Sequence, residues 1–379
     1  MSLVPRHPFL RTQALNRVFD NTAASYKFFW FLAVLELSRT SHGQLSLQEI
    51  FVEMAAQAWH PVNLFRLSFD TKDADEKCVD RLQGVLREIA TKEAALSDGL
   101  RPNSSLMEVR ARLQGYAREL GFLGDLVPMR FLSPFVSGRL PQGTPRHRIN
   151  KEIIRIVDEL KVGEDAAPYH FGPDKDSVVL HPDWQAFFVE HAAILRGFVE
   201  IGLVRFLQAK NPMVPGLADK LRMPMERDLG RARSFWEQAN QAHLAQRSAP
   251  LTNLYTGRPL DGAFAVDHFM PWSYVAHDYI WNTVPTDQST NSSKGDRIPS
   301  VSRYVAGLAE LHHFALRSAV KRPTSGKADY QLLADHMALW RLSGPALLEL
   351  SVEGLRTRMT ETLKALEDQA PVEFEVYRN

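Results

Sequence analysis

The sequence of 379 residues contains a single cysteine, Cys78, so it can form no intramolecular disulfide. It also lacks a run of about 20 apolar residues, the length that a membrane-spanning helix needs. Its first residues do not include the apolar segment of a signal peptide. These absences are typical of a soluble protein of a reducing compartment, and we expect a cytoplasmic protein without membrane contact.

The sequence has no glycine-rich phosphate loop with a Walker lysine, which excludes a P-loop NTPase, and no internal repeat. Charge is almost balanced, with 45 Lys and Arg, 44 Asp and Glu, and a net charge of +1. Balance does not exclude a nucleic-acid partner, because positive charge can collect on one face. The densest cationic cluster is formed by Arg146, His147, Arg148, Lys151 and Arg155. It could contact phosphate or form an exposed face balanced by Glu152 and Asp158, and both interpretations stay open.

Hydrophobic periodicity predicts helices over most of the chain. One helix is expected over residues 20–38, capped by Asn21 or Thr22. A second is expected from Ser46 to Trp59, with a capping box formed by Ser46 and Glu49. Together they have the outline of a helix-turn-helix. The charged residues of the second helix are acidic, however, whereas phosphate contacts need Lys or Arg, so a structural helical hairpin is favoured.

Further along the chain, residues 128–145 contain several prolines and glycines and are expected to form loops. Residues 184–208 are expected to form one long apolar helix at the centre of the core. Helical patterns return after Pro299. The adjacent His312 and His313 of that region could be metal ligands, but neighbouring residues on a helix point in different directions, which favours core or surface roles.

The segment from Asn253 to Pro299 lacks the helical periodicity of most of the chain and instead has a short apolar strand followed by polar loops. An apolar strand, residues 264–266, leads to an Asp–His pair. A polar loop follows, and a second polar loop, residues 291–294, leads into a short basic stretch. The polar landmarks, in order, are Asp267, His268, Asn282, Asn291, Lys294 and Arg297.

These residue types suit the metal-assisted hydrolysis of a phosphodiester. The carboxylate of Asp267 and the amide oxygen of Asn291 are hard donors that could hold Mg²⁺, with Mn²⁺ as an alternative. A histidine beside the metal, His268, can take a proton from water near neutral pH. Lys294 and Arg297 would contact phosphate, the lysine as a point charge.

The ordered landmarks resemble the signature of the HNH (ββα-metal) endonuclease family. The pattern V-D-H-x-x-P-x-S occupies residues 266–273, Asn282 follows, and N-x-x-K-x-D-x-x-P occupies residues 291–299. The spacing is most similar to the HNH domain of type II CRISPR effector nucleases. The resemblance implies that Asp267 and Asn291 bind the metal, that His268 is the general base, and that Asn282 orients the histidine loop.

The resemblance covers only about residues 250–320. Many HNH proteins carry paired CxxC zinc knuckles, which a chain with one cysteine cannot form. Asn253 stands where a cysteine often opens the motif, so no structural zinc is expected. Chance agreement and an inactive, degenerate domain are the alternatives. Ordered spacing argues against the first, and the presence of every expected catalytic residue argues against the second.

The sequence therefore predicts a mainly α protein, with a large helical domain and a small ββα-metal module. The expected domains are a helical domain for target recognition or partner binding (1–240), the nuclease module (241–325) and C-terminal helices (326–379). The helix after Pro299 would supply the final α of the module or pack against it. The expected function is that of a DNA endonuclease of prokaryotic restriction or anti-phage defence. Alternatives are the nuclease subunit of a larger, guided complex with protein partners, a homodimer, or a non-catalytic DNA-binding module.

Overall fold

The computed structural model describes residues 3–70, 80–125, 127–163, 165–222, 227–320, 330–371 and 374–377. Internal contacts divide the chain into two compact units, Met1–Pro212 with Leu217–Met223 and Met213–Gly216 with Pro224–Asn379. Both units are mainly helical, which confirms the predicted fold class. In the described ranges, no helix is both long enough and apolar enough to cross a membrane.

The first unit is built from helices around one small antiparallel sheet. Its helices are α1 (Thr12–Asn16), α2 (Tyr26–Leu37), α3 (Leu47–Trp59), α4 (Arg81–Ala94), α5 (Leu106–Leu113), α6 (Ala117–Leu120), α7 (Val127–Val136), α8 (Ile149–Glu159), α9 (Pro182–Glu190) and α10 (Ala192–Gln208). Its strands are β1 (Gln44–Ser46), β2 (Tyr169–Phe171) and β3 (Ser177–Leu180), in the order β1-β3-β2.

The centre of this unit is formed by α2 and α3. Helix α2 is apolar on almost every face and is buried along most of its length. It begins at Tyr26, so the predicted start near residue 20 and the predicted cap at Asn21 or Thr22 are wrong. The predicted capping box of α3, between Ser46 and Glu49, is confirmed. Because α3 is itself largely buried against α2, it is a core helix, in agreement with the structural hairpin.

Two other sequence predictions for this unit are wrong. The predicted helix 184–208 is interrupted at His191, which ends α9 and precedes α10. The predicted loop region 128–145 begins with α7. Pro128 is in the first turn of that helix, where no intrahelical donor is required, and an apolar face buries the rest of it.

The second unit contains helices around a two-stranded hairpin. Its helices are α11 (Gly230–Arg247), α12 (Trp272–Val275), α13 (Gln288–Lys294), α14 (Val301–Ser318), α15 (Ala334–Trp340), α16 (Gly344–Glu349) and α17 (Val352–Gln369). Its strands are β4 (Ala265–His268), β5 (Thr283–Thr286), β6 (Ile298–Pro299) and β7 (Val376–Tyr377). The predicted boundary at residues 240 and 241 falls inside α11, whose turns form one continuous helix, and the three-part division stays a prediction.

Helix α14 is the central support of the second unit, and it packs against both α11 and α17. Its His312 is fully buried and donates from Nε2 to the carbonyl of Thr283, 3.0 Å away. His336, also buried, donates from Nε2 to Nδ1 of His312 over 3.1 Å. Burial lowers the pKa of His312 to about 4, so the pair is neutral at ordinary pH. Both rings are core groups: His312 bonds to β5 at Thr283, and His336 bonds to His312.

Candidate active site

The β4–β5 hairpin positions the Asp–His pair. The two strands are antiparallel, with Asp267 opposite Val284 and His268 opposite Thr283. Both residues lie at the end of β4, as the sequence predicted, although β4 begins one residue later than predicted and includes the pair itself. Consecutive residues of a strand face opposite sides, so the two side chains have different neighbours. They are 8% and 4% exposed, respectively.

The carboxylate of Asp267 has one cationic neighbour. The ammonium of Lys294 is 3.1 Å from its Oδ2, and the hydroxyl of Tyr255 is 3.5 Å from the same oxygen. Burial raises the pKa of Asp267 above its ordinary value, and the charge of Lys294 offsets only part of that increase. The site is therefore a buried carboxylate that one lysine neutralises incompletely.

The imidazole of His268 contacts a second carboxylate. Its Nε2 is 2.9 Å from Oδ1 of Asp278, and the other oxygen of Asp278 accepts a bond from the backbone N–H of Asp228 over 2.9 Å. Partial burial favours the neutral acid, but the hydrogen bonds from His268 and Asp228 outweigh it, so the pKa of Asp278 lies below its ordinary value. An ionised Asp278 is only an acceptor, so Nε2 carries the proton of the neutral ring and Nδ1 is the basic nitrogen.

Asn282 holds the chain immediately after His268. Its side-chain oxygen accepts from the backbone N–H of Met270 over 2.8 Å, and its amide donates to the carbonyl of the same residue over 2.9 Å. Its own carbonyl accepts from the N–H of Phe269 over 2.7 Å. Asn282 is fully buried, so these three bonds replace bonds to water. This geometry agrees with the expected orienting role, which stays a prediction.

Asn291 lies on α13, so the predicted second polar loop is wrong. The helix forms because Asp287 caps it, accepting from the N–H of Thr290 over 2.8 Å. Helix α13 follows β5 directly and packs against β4, so it takes the place that the sequence assigned to the helix after Pro299. Asn291 and Lys294 are three residues apart and share one face of α13. Because Lys294 contacts Asp267, that face is turned toward β4.

The donor set suits a divalent ion. A carboxylate on β4 and an amide on the facing helix are hard oxygen donors, and Mg²⁺ needs only one or two protein ligands beside water and phosphate. The ammonium of Lys294 lies 3.1 Å from this carboxylate, so a metal ion at Asp267 would compete with that lysine. Within the described residues, no group of three or more His, Cys, Asp or Glu side chains could hold a metal. Metal binding by Asp267 and Asn291 stays a prediction.

Both predicted phosphate contacts are engaged within the protein. Lys294 is 1% exposed and donates to the carbonyl of His268 over 2.8 Å as well as pairing with Asp267. Arg297 donates from Nε to the carbonyl of Lys294 over 3.2 Å and from Nη2 to that of Ser293. Its guanidinium lies 5.1 Å from the ring centroid of Tyr377. Phosphate contacts by Lys294 and Arg297 stay predictions.

Asn253 joins the start of the motif to α13. Its amide nitrogen lies 3.0 Å from the hydroxyl of Thr286, 2.6 Å from Oδ2 of Asp287 and 3.2 Å from the hydroxyl of Thr290. Its side-chain oxygen accepts from the N–H of Tyr255 over 2.8 Å. A buried amide therefore fastens the turn at residues 253–258 to the junction of β5 and α13, at the position where the family often has a cysteine.

The sequence reasoning missed Asp278. The only available signal was an acidic residue in the polar loop between His268 and Asn282, and no landmark of the motif includes that position. Ala276, in a left-handed conformation with φ of 55°, turns the chain just before it. Only the folded loop reveals that this carboxylate meets the imidazole.

The comparisons with known proteins find a match for one segment of the chain. Residues 253–300 match the family model described as HNH endonuclease. No curated protein and no solved structure matches the chain. The match does not distinguish subfamilies, so the closer likeness to type II CRISPR effector nucleases stays a prediction. The segment that contains β4, β5 and α13 thus carries an HNH endonuclease motif, which indicates nuclease activity on nucleic acid.

Proposed function

We propose that this protein is a metal-dependent endonuclease that hydrolyses DNA phosphodiester bonds. The observation that supports the proposal most directly is the match of residues 253–300 to the HNH endonuclease family, in a segment that places Asp267 and His268 on β4 against the helix that carries Asn291. Asp267 and Asn291 would hold Mg²⁺ or Mn²⁺. When bound, the ion supplies charge stabilisation for the attacked phosphate and the leaving oxygen.

His268 is the proposed general base. Its Nδ1 takes a proton from the attacking water while Nε2 stays bonded to Asp278. The carboxylate of Asp278 stabilises the imidazolium that forms and prevents the ring from rotating. Asn282 fixes the residues that follow His268, so the imidazole keeps its direction. Water attacks in line with the leaving 3′-oxygen.

One such site cuts one strand. A double-strand break would then require two protomers or two successive nicks. The proposed setting is prokaryotic restriction or anti-phage defence, with the helical unit serving target recognition or the binding of partner proteins. This setting rests on the resemblance of the motif.

A plasmid assay tests the proposal. Supercoiled DNA, incubated with the purified protein and MgCl₂, is expected to be nicked or linearised, and EDTA is expected to stop the reaction. His268→Ala is expected to lower the rate by about 10²–10⁴-fold, the usual contribution of a general base. His42→Ala, which removes an exposed histidine of the first unit, is the matched control and should cut normally.

Two outcomes would contradict the proposal. Equal cleavage by the wild type and His268→Ala would exclude His268 as the base. DNA binding without any cleavage would favour a non-catalytic module. If cleavage begins only when a partner protein is added, the chain is the nuclease subunit of a larger complex. Single-stranded, modified and RNA substrates in the same assay identify the substrate class.

A further inference from the structure

A cavity of about 770 Å³ lies within the first unit. It is bounded by the loop between α1 and α2, by the start of α2, by α7 and by the start of α8. Its volume lies within the range of pockets that bind small organic ligands. No residue of the proposed nuclease site contributes to its walls, so its role is a separate question.

Cationic side chains dominate the charge of this cavity. Arg17, Lys27, Arg130 and Arg146 line it, and Asp20 is the one acidic residue in its walls. Asp20 pairs with Arg17, whose Nε is 3.2 Å from Oδ2. Across the described ranges, no carboxylate forms an ion pair with Arg130 or Arg146. The cavity walls therefore carry more positive than negative charge, and no carboxylate of the described residues neutralises Arg130 or Arg146.

Lys27 and Arg130 both line this cavity, and their positive charges repel each other. The ammonium of Lys27 donates to the carbonyls of Val18 and Asn21, each over 3.0 Å. Burial lowers the pKa of Lys27, and the nearby charge of Arg130 lowers it further. A bound anion would relieve this repulsion, because it would interact favourably with both cations.

Apolar side chains form another part of the cavity wall, and on α7 they flank Arg130. Val127 and Pro134 of α7, Leu140 of the following loop, and Ile149 and Ile153 of α8 line it. An inorganic anion would leave this wall in contact with water. A ligand that has both a charged group and a flat or apolar body would cover it and gain the free energy of apolar burial.

We propose that this cavity binds a nucleotide. The phosphate groups contact Arg130 and Arg146, whose guanidinium groups can each form two parallel hydrogen bonds to phosphate oxygens. Lys27 adds a point charge beside Arg130. The base lies on the aliphatic wall that includes Leu140. This inference goes beyond the nuclease proposal and does not depend on it.

Two arginines of the cationic cluster at residues 146–155 differ in their partners. Arg155 pairs with both Glu152 and Glu159 on the exposed side of the helix, so its charge is balanced. Arg146 has no such partner and faces the cavity. Of the two interpretations left open by the sequence, the balanced face applies to Arg155 and the phosphate contact to Arg146. Substitution of Arg146 therefore tests phosphate binding, and substitution of Arg155 is its matched control.

Isothermal titration calorimetry of the full chain tests the proposal. ATP, AMP and inorganic pyrophosphate are titrated in buffer with EDTA, so that metal-dependent binding at the second unit does not contribute. We expect saturable ATP binding. Arg130→Gln and Arg146→Gln should each weaken it by about tenfold, the effect of losing charge-assisted bonds to phosphate. Arg155→Gln should leave it unchanged, and Leu140→Ala should weaken ATP but not pyrophosphate.

Thermal unfolding of every variant verifies that it is folded. The proposal is overturned if neither nucleotide binds at millimolar concentration. It is also overturned if the folded double variant Arg130→Gln/Arg146→Gln binds ATP as tightly as the wild type. Pyrophosphate that binds as tightly as ATP would show a simple anion site and overturn the assignment of a nucleotide.

Discussion

Both units bury carboxylates, and the surroundings of Glu93 in the first unit differ from those of Asp267 in the second. Glu93 of α4, in the first unit, is 1% exposed. It accepts from Nε of Arg112 over 2.8 Å, from the hydroxyl of Tyr116 over 2.6 Å and from the N–H of Leu100 over 3.0 Å. Burial favours its neutral form, but these three bonds outweigh burial and hold the pKa of Glu93 below its ordinary value.

Asp267 of β4, in the second unit, also has donors nearby, but burial outweighs them. One lysine lies 3.1 Å away, and the tyrosine hydroxyl is at the limit of hydrogen-bond distance, 3.5 Å. Burial raises its pKa, and Lys294 does not restore the ordinary value. Its ionised form is therefore destabilised by the fold.

The difference distinguishes a buried carboxylate whose ionised form the fold stabilises from one whose ionised form it destabilises. Glu93 has all the donors that it needs, so its charge stabilises the first unit and leaves nothing for a ligand to supply. Asp267 would gain from an additional cation. Perturbed groups of this kind are typical of functional sites, and an uncompensated buried carboxylate is a natural ligand for a metal ion.

The largest expected effect comes from Asp267→Asn. The substitution keeps the shape of the side chain but removes the charge that would bind the metal. We expect nuclease activity to fall by at least about 10³-fold, because metal stabilisation of the transition state contributes several kcal/mol. Single-turnover nicking of supercoiled plasmid measures the loss.

The control is Asp261→Asn, an exposed aspartate earlier in the same segment. It should retain wild-type activity. The unfolding free energy of Asp267→Asn should fall, because the substitution leaves the buried ammonium of Lys294 without its carboxylate, so activity is compared at temperatures at which both proteins are folded. Activity that survives Asp267→Asn would remove the distinction between the two carboxylates.

Glu93→Gln should lower the stability of the protein and leave its nuclease activity unchanged. It leaves Arg112 without its ion pair, so we expect unfolding to become easier by about 2 kcal/mol, the contribution of hydrogen bonds to a charged group. Nuclease activity at temperatures below unfolding should not change. Because the pKa of Glu93 is depressed, this stabilisation is complete above the ordinary value of 4.5 and disappears as the pH falls through the folded value.

Chemical denaturation at pH 7 and at pH 4 measures this effect. The stability difference between the wild type and Glu93→Gln should be smaller at the acidic pH. A difference that grows with acidification would have the wrong sign for a carboxyl group with a depressed pKa.

Asp278→Asn tests the partner of the imidazole. Asn cannot stabilise a protonated ring as a carboxylate does, so we expect activity to fall by about 10–100-fold, the usual effect of a residue that orients a functional group. The acid limb of the pH–rate profile should move to lower pH while KM stays the same. Loss of activity with an unchanged profile would point to a purely structural role for Asp278. Asp261→Asn again serves as the control.

How far the sequence predicts this site depends on whether a contact is local. The residue pattern from Asp267 to Asn291 predicted the candidate ligands, because the ligands are landmarks with fixed spacing, and the strand that leads to the Asp–His pair, but not β5. The pattern did not predict that Asn291 lies on a helix. QSTNSSK has weak helix propensity, and α13 depends on the Asp287 cap and on packing against β4.

The remaining errors have the same origin. Asp278 and Lys294 acquire their partners only through tertiary folding, which no periodicity encodes. In the first unit, hydrophobic spacing predicted α3 and its cap but not the interruption at His191 or the helix that contains Pro134. Local signals thus predicted where most helices lie, whereas packing determined where they end and which polar groups meet.

The smallest expected effect concerns Lys294, which competes with a metal ion for Asp267. Lys294→Met removes a positive charge 3.1 Å from the carboxylate, so the free protein should be less stable while its affinity for Mg²⁺ increases. At about 10 mM MgCl₂, we expect the stabilisation by Mg²⁺ to exceed that of the wild type by about 1 kcal/mol, as mass action requires for a several-fold tighter site. Thermal unfolding with and without MgCl₂ measures this stabilisation, with the surface variant Lys364→Met as control.

Asp267→Asn should show no such stabilisation by Mg²⁺. If Mg²⁺ stabilises none of these proteins, the incompletely neutralised carboxylate is not a metal ligand, and its contrast with Glu93 must have another cause.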